Sequence, residues 1–139
     1  MQRTRITVRY SETDMMGIVY HANYFPWFEV ARTELTQSFG VSYAKAEADG
    51  LLMPLTDCGC RFVKSAVYGD TVLIETSVTV LTAARCRYEY RAYREADGAL
   101  LAEGYTGHAF TDKSLRPLNL KKKFPEIYEV LEEMRGAAG

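Results

Sequence analysis

One helix-length apolar stripe followed by four alternating segments in direct succession is the feature that most narrows the folds open to this chain. Tyr24, Phe28, Ala31, Leu35 and Phe39 recur on one helical face, with Asn23 placed to cap the start, Pro26 tolerated in the first turn and Gly40 as the stop. Beyond it, Leu51 to Val63, Thr71 to Thr82, Arg85 to Arg94 and Leu100 to Thr111 alternate and are rich in Val, Thr, Ile and Tyr, as strands are. The gap at Ala83-Ala84 is too short for anything but antiparallel neighbours, and Ala96-Asp97-Gly98 signals a second hairpin. A lone striped helix needs one sheet to cover it. The expectation is an α+β fold in which an antiparallel sheet of about five strands wraps around one long central helix.

The remaining segments fit that plan. Arg3 to Tyr10 reads as a first strand with Ile6, Val8 and Tyr10 on its buried face, and Ser11 to Asn23 breaks every period and reads as a long loop. Ser42 to Asp49 suggests a short second helix closed by Gly50. Pro125 to Met134, after the run Lys121 to Lys123, carries Ile127, Val130, Leu131 and Met134 on one side of an amphipathic segment.

At 139 residues the chain spans a single domain, 1–139, and with 47% hydrophobic residues it has enough apolar side chains for a proper core. Its 17 Lys and Arg against 18 Asp and Glu leave a net charge of -1, so no global positive field gathers nucleic acid or an anionic membrane. No stretch has the apolar length of a signal peptide or a membrane span, and the expectation is a cytoplasmic protein without membrane insertion. Cys58, Cys60 and Cys86 lack zinc or redox spacing and read as free thiols of a reducing compartment. No metal-ligand pattern such as HExxH is present in the sequence.

The loop between the first strand and the long helix carries an ordered set: Tyr10, Thr13-Asp14, Gly17, Val19-Tyr20 and Asn23-Tyr24, continued downstream by Tyr68-Gly69-Asp70-Thr71. This set resembles the signature of the hot-dog-fold acyl-CoA thioesterases, in particular the 4-hydroxybenzoyl-CoA thioesterase-like group and its Tol-Pal-associated relatives. The resemblance covers nearly the whole chain. It implies a hot-dog fold, hydrolysis of acyl-CoA thioesters without a cofactor, and a homodimer or dimer of dimers with sites at the interface.

An aspartate side chain is ionised at neutral pH and can attack a carbonyl or take a proton from water without prior activation. From spacing alone, Asp14 could equally cap a local turn. The resemblance assigns it the catalytic carboxylate. His21 lies beside the presumed helix N-terminus, where free N–H groups and the helix dipole suit an oxyanion. The resemblance gives that role to the His21 backbone N–H, with the imidazole and Tyr10 as further catalytic candidates. Glu12 reads as a solvated or structural carboxylate, and His108 as a packing or hydrogen-bonding residue. Gly17, Val19 and Tyr24 are expected to shape the substrate site. Arg61, Lys64 and Arg85 are available as cations for the phosphates of CoA. A non-catalytic module that binds acyl-CoA or an acyl-carrier protein is the alternative.

Overall fold

The computed structural model describes residues 2–138. Five strands, β1 (Arg3–Thr7), β2 (Leu55–Phe62), β3 (Thr71–Leu81), β4 (Arg85–Arg94) and β5 (Leu100–Ala109), form one antiparallel sheet in the order β1-β3-β4-β5-β2. Short hairpins join β3 to β4 and β4 to β5, with Gly98 at φ +71° completing the second turn as its sequence suggests.

The long helix α1 (Tyr24–Ser38) packs on the sheet through an aromatic column. The Phe28 ring stacks on Tyr90 at 4.3 Å and 5°, and both are fully buried. Even-numbered residues of β3 and β4, Val72, Ile74, Val78, Cys86, Tyr88, Tyr90 and Ala92, share this core, as a strand periodicity of two requires. At the far end of α1, Gly40 takes φ +88° and donates to Gln37 O while Val41 donates to Thr36 O, which satisfies the last carbonyls of the helix. The short helix α2 (Tyr43–Ala48) follows, capped by the Ser42 hydroxyl accepting from Lys45 N. The chain ends in α3 (Leu120–Lys123) and α4 (Pro125–Ala138), whose Leu131 and Met134 join the same core. Among the described residues no helix is long and apolar enough to cross a membrane.

Three local expectations need correction. The first strand stops at Thr7, and Tyr10, 76% exposed rather than on the buried face, opens a short 3-10 turn over Tyr10–Glu12. Asn23 does not cap α1; its backbone is already helical and its side-chain amide donates to the Glu12 carbonyl instead. Regular pairing of the strand expected from Leu51 begins only at Leu55, after an isolated bridge from Leu52 to Thr111.

Candidate active site

The loop from Thr13 to Val19 closes on itself. Thr13 and Val19 face each other in an isolated antiparallel bridge, Asp14 N donates to Ile18 O at 2.9 Å, and Gly17 N returns to Asp14 O at 3.0 Å. Gly17 sits at φ +78°, a conformation that side chains resist, so the tight return needs glycine there. Within this turn the Asp14 Oδ1 accepts the Met16 N–H at 2.8 Å, and Oδ2 has no hydrogen-bond partner among the described residues.

Immediately after the loop, His21–Asn23 forms a 3-10 turn that runs straight into α1. The N–H groups at such an entry lack helical acceptors, and that of His21 bonds to no acceptor among the described residues. The exposed His21 ring packs against Tyr20 at 4.5 Å and edge-on to Phe62 at 6.1 Å. Asp14, Val19, His21 and Tyr24 together line a cleft of about 280 Å³, whose opposite wall is Phe62 to Ala66. Burial pushes the Tyr24 hydroxyl up to about 12, so it remains a neutral O–H. Two of the thiols are held protonated by burial, which raises Cys60 to about 11 and Cys86 to about 12.

Residues 8–134 match the thioesterase-like superfamily. The chain belongs to that superfamily. It is 36% identical over 136 residues to YneP of Bacillus subtilis, provisionally named an acyl-CoA thioesterase, which covers 97% of this chain and 98% of that protein. Its fold superposes on the DHNA-CoA thioesterase of Staphylococcus aureus with a TM-score of 0.91 at 34% identity, covering 98% of this chain and 91% of that one. A Thermus thermophilus protein, TT1821, superposes with a TM-score of 0.88 at 34% identity, over 96% of this chain and 99% of its own. The antiparallel sheet with α1 packed against it is therefore the hot-dog arrangement of these thioesterase-like proteins.

Within this superfamily member the residues singled out from sequence divide into two groups. Asp14, Val19, His21, Tyr24 and Lys64 line the cleft, and Gly17 shapes its loop. Tyr10 instead packs edge-on to Tyr68 at 5.8 Å, outside the cleft lining. Arg61 turns to Glu103 on the neighbouring strand at 3.5 Å. Arg85 begins β4, seven residues from Ala92, or about 24 Å of strand from the Phe62 register. Met16 lines the cleft while Met15 stands fully in solvent, and Leu52 and Met53 line a separate cleft with Arg32 and His108.

Three contributors escape a reading of the loop alone. Trp27 is 3% exposed and donates its indole N–H to Glu12 at 2.8 Å, although its place between Tyr24 and Ala31 has helical spacing that could have flagged it. On the opposite wall, the half-buried Arg94 donates to Ser65 O at 2.8 Å and to Asp70 at 3.3 Å, and Asp70 accepts the Val67 N–H at 3.0 Å. No local pattern links residues so far apart in sequence. Among the described residues no cluster of His, Cys, Asp and Glu is placed to hold a metal ion.

Proposed function

We propose that this protein hydrolyses acyl-CoA thioesters to the free acid and CoA, in the cleft beside the N-terminus of α1, as a homo-oligomer of the cytoplasm. The observation that carries the reading is that the Asp14 carboxylate and the His21 turn line one small cleft. The thioester carbonyl accepts the His21 N–H, which holds the negative charge that develops on oxygen when the carbonyl carbon is attacked. Asp14 Oδ2 either attacks that carbon itself or takes the proton of an attacking water. The C–S bond then breaks and the sulfur of CoA leaves with the electron pair; in the base route it takes back the proton that Asp14 removed from water, and in the direct-attack route it takes a proton from solvent. In the direct-attack route a water molecule subsequently splits the acyl–aspartyl anhydride. Lys64, on the cleft wall, supplies a cation for the phosphates of CoA.

One oxyanion donor contributes about 10² to 10³ in rate and a positioned base about 10² to 10⁴, which suffices without a cofactor. Asp14→Asn tests the assignment, because the amide keeps the shape and the Oδ1 acceptor but loses both nucleophile and base. Loss of thiol release from a panel of aliphatic and aromatic acyl-CoAs, with an unchanged melting temperature, is the expected result. Turnover at the wild-type level would remove Asp14 from the centre, and a wild-type protein that binds but never cleaves the panel would leave a binding module.

A further inference from the structure

We infer that Glu12 is the positioning residue of the reactive loop, a single buried side chain and carbonyl that set where Asp14 stands relative to the His21 amide. This rests on the reading that Asp14 and the His21 N–H form the reactive centre.

Glu12 is 8% exposed, a rare position for a carboxylate without a structural task. Its Oε1 accepts the Arg9 N–H at 2.8 Å and its Oε2 the Trp27 indole at 2.8 Å. The backbone carbonyl of the same residue accepts the Tyr20 N–H and the Asn23 side-chain amide, both at 2.8 Å. Tyr20 and Asn23 bracket His21 in the chain, and Asp14 follows Glu12 by two residues. Every hydrogen bond that joins residues 9–13 to residues 20–27, among the described residues, therefore ends on Glu12.

The other bonds of the loop do not fix that relation. Thr13 bonds back to Tyr10 within its own turn, Asp14 N bonds to Ile18 O within the loop, and Val19 N bonds across the cleft to Ala66 O. Without the Glu12 carboxylate the loop would keep its internal shape and the two bonds on the Glu12 carbonyl, but lose the tie to Trp27 and the brace to the Arg9 N–H that fix where that carbonyl stands against the helix entry. Burial by itself disfavours the Glu12 charge, yet the bonds from the Arg9 N–H and the Trp27 indole, with the Arg9 guanidinium at 3.5 Å, together hold the carboxyl below its usual range. Both oxygens thus remain acceptors at neutral pH.

The test compares Glu12→Gln, Glu12→Asp and Asp14→Asn with the wild type on butyryl-CoA and benzoyl-CoA, with folding checked by near-ultraviolet circular dichroism. In Glu12→Gln one of the two carboxylate contacts becomes donor against donor, and in Glu12→Asp the shorter side chain cannot span both partners. Because a displacement of about 1 Å at a reacting group can cost about 10²-fold, kcat is expected to fall at least about tenfold in Glu12→Gln at a KM within about twofold of wild type. Should Glu12→Gln fail to fold, Trp27→Phe deletes the indole donor while keeping the aromatic packing, and the same kcat-only loss is expected. The inference is overturned by a folded Glu12→Gln protein with kcat within about twofold of wild type, or by a loss matching only the unfolded fraction. Asp14→Asn separates the two claims: an inactive Asp14→Asn beside a normal Glu12→Gln removes the positioning role alone, whereas an active Asp14→Asn removes the centre itself.

Discussion

Val19 N donates to Ala66 O at 2.9 Å, so the loop that carries Asp14 is bonded to the facing wall of its own cleft. The width of the cleft is therefore set by how firmly the segment from Ser65 to Asp70 is held. Arg94 holds it, through Ser65 O and Asp70, with only 22% of its side chain exposed. Arg94→Ala is expected to lower stability by about 1–3 kcal/mol, the usual worth of hydrogen bonds to a charged group left unpaired. It is also expected to lower kcat/KM, because the wall that faces His21 loses its anchor. Urea unfolding alongside steady-state kinetics checks both; unchanged kinetics in a destabilised protein would show that the wall is held by other means.

Gly104 is a second point where the fold leaves no room. A Cβ there would lie 2.5 Å from Cε2 of Phe28 and 3.1 Å from the Gly59 carbonyl. Phe28 cannot give way, since its ring is stacked on Tyr90 and has no exposed surface. Gly104→Ala is therefore expected to destabilise by about 1–3 kcal/mol through overpacking. An unfolding midpoint equal to wild type would mean that α1 can lift from β5 at no cost.

The strands show how far local pattern reaches. Arg85 to Arg94 occupies the span its alternation suggests, because both of its edges are paired and its even residues face the core. The first strand fails at Tyr10 because the chain leaves the sheet after Val8, whose N–H bonds to Asp70 O and whose successor Arg9 is drawn to the Glu12 carboxylate. Those partners lie outside any period of two. The cleft was legible in part for the same reason: Asp14, Gly17 and His21 sit in one stretch of sequence, while Phe62 to Ala66 and Arg94 reach it only through the fold.

Edge strand β2 leads to a prediction about assembly. It pairs with β5 on one side, none of its residues is fully buried, and Leu55 and Phe62 are 54% and 48% exposed. A long edge with apolar side chains is a surface that a second copy can continue. Light scattering in dilute solution is expected to give a multiple of the 15.7 kDa chain mass. A fully active 15.7 kDa species would rule out a site that depends on two copies.

The buried His108 links stability to pH. Its Nδ1 lies 3.1 Å from the Met53 carbonyl, which can only accept, so in the neutral ring the proton sits on Nδ1. Its Nε2, 2.9 Å from Thr106 Oγ1, then accepts the threonine hydroxyl, and Thr106 in turn accepts from Tyr90. Protonation of Nε2 puts a second donor where this chain needs an acceptor. Burial is the main cause that holds the His108 pKa below its ordinary 6.5, and the Arg32 charge acts in the same direction against the opposing Met53 bond and Asp57 charge. The folded state thus refuses a proton that the unfolded chain accepts, and stability should fall as pH drops below about 6.5 until the folded pKa is reached. The slope from this one group cannot exceed about 1.4 kcal/mol per pH unit. Glu12, depressed below 4.5, adds its own loss only at lower pH. Urea midpoints measured between pH 7.5 and 5.5 are expected to decline in the wild type and to flatten in His108→Gln; equal slopes in the two proteins would assign the dependence elsewhere.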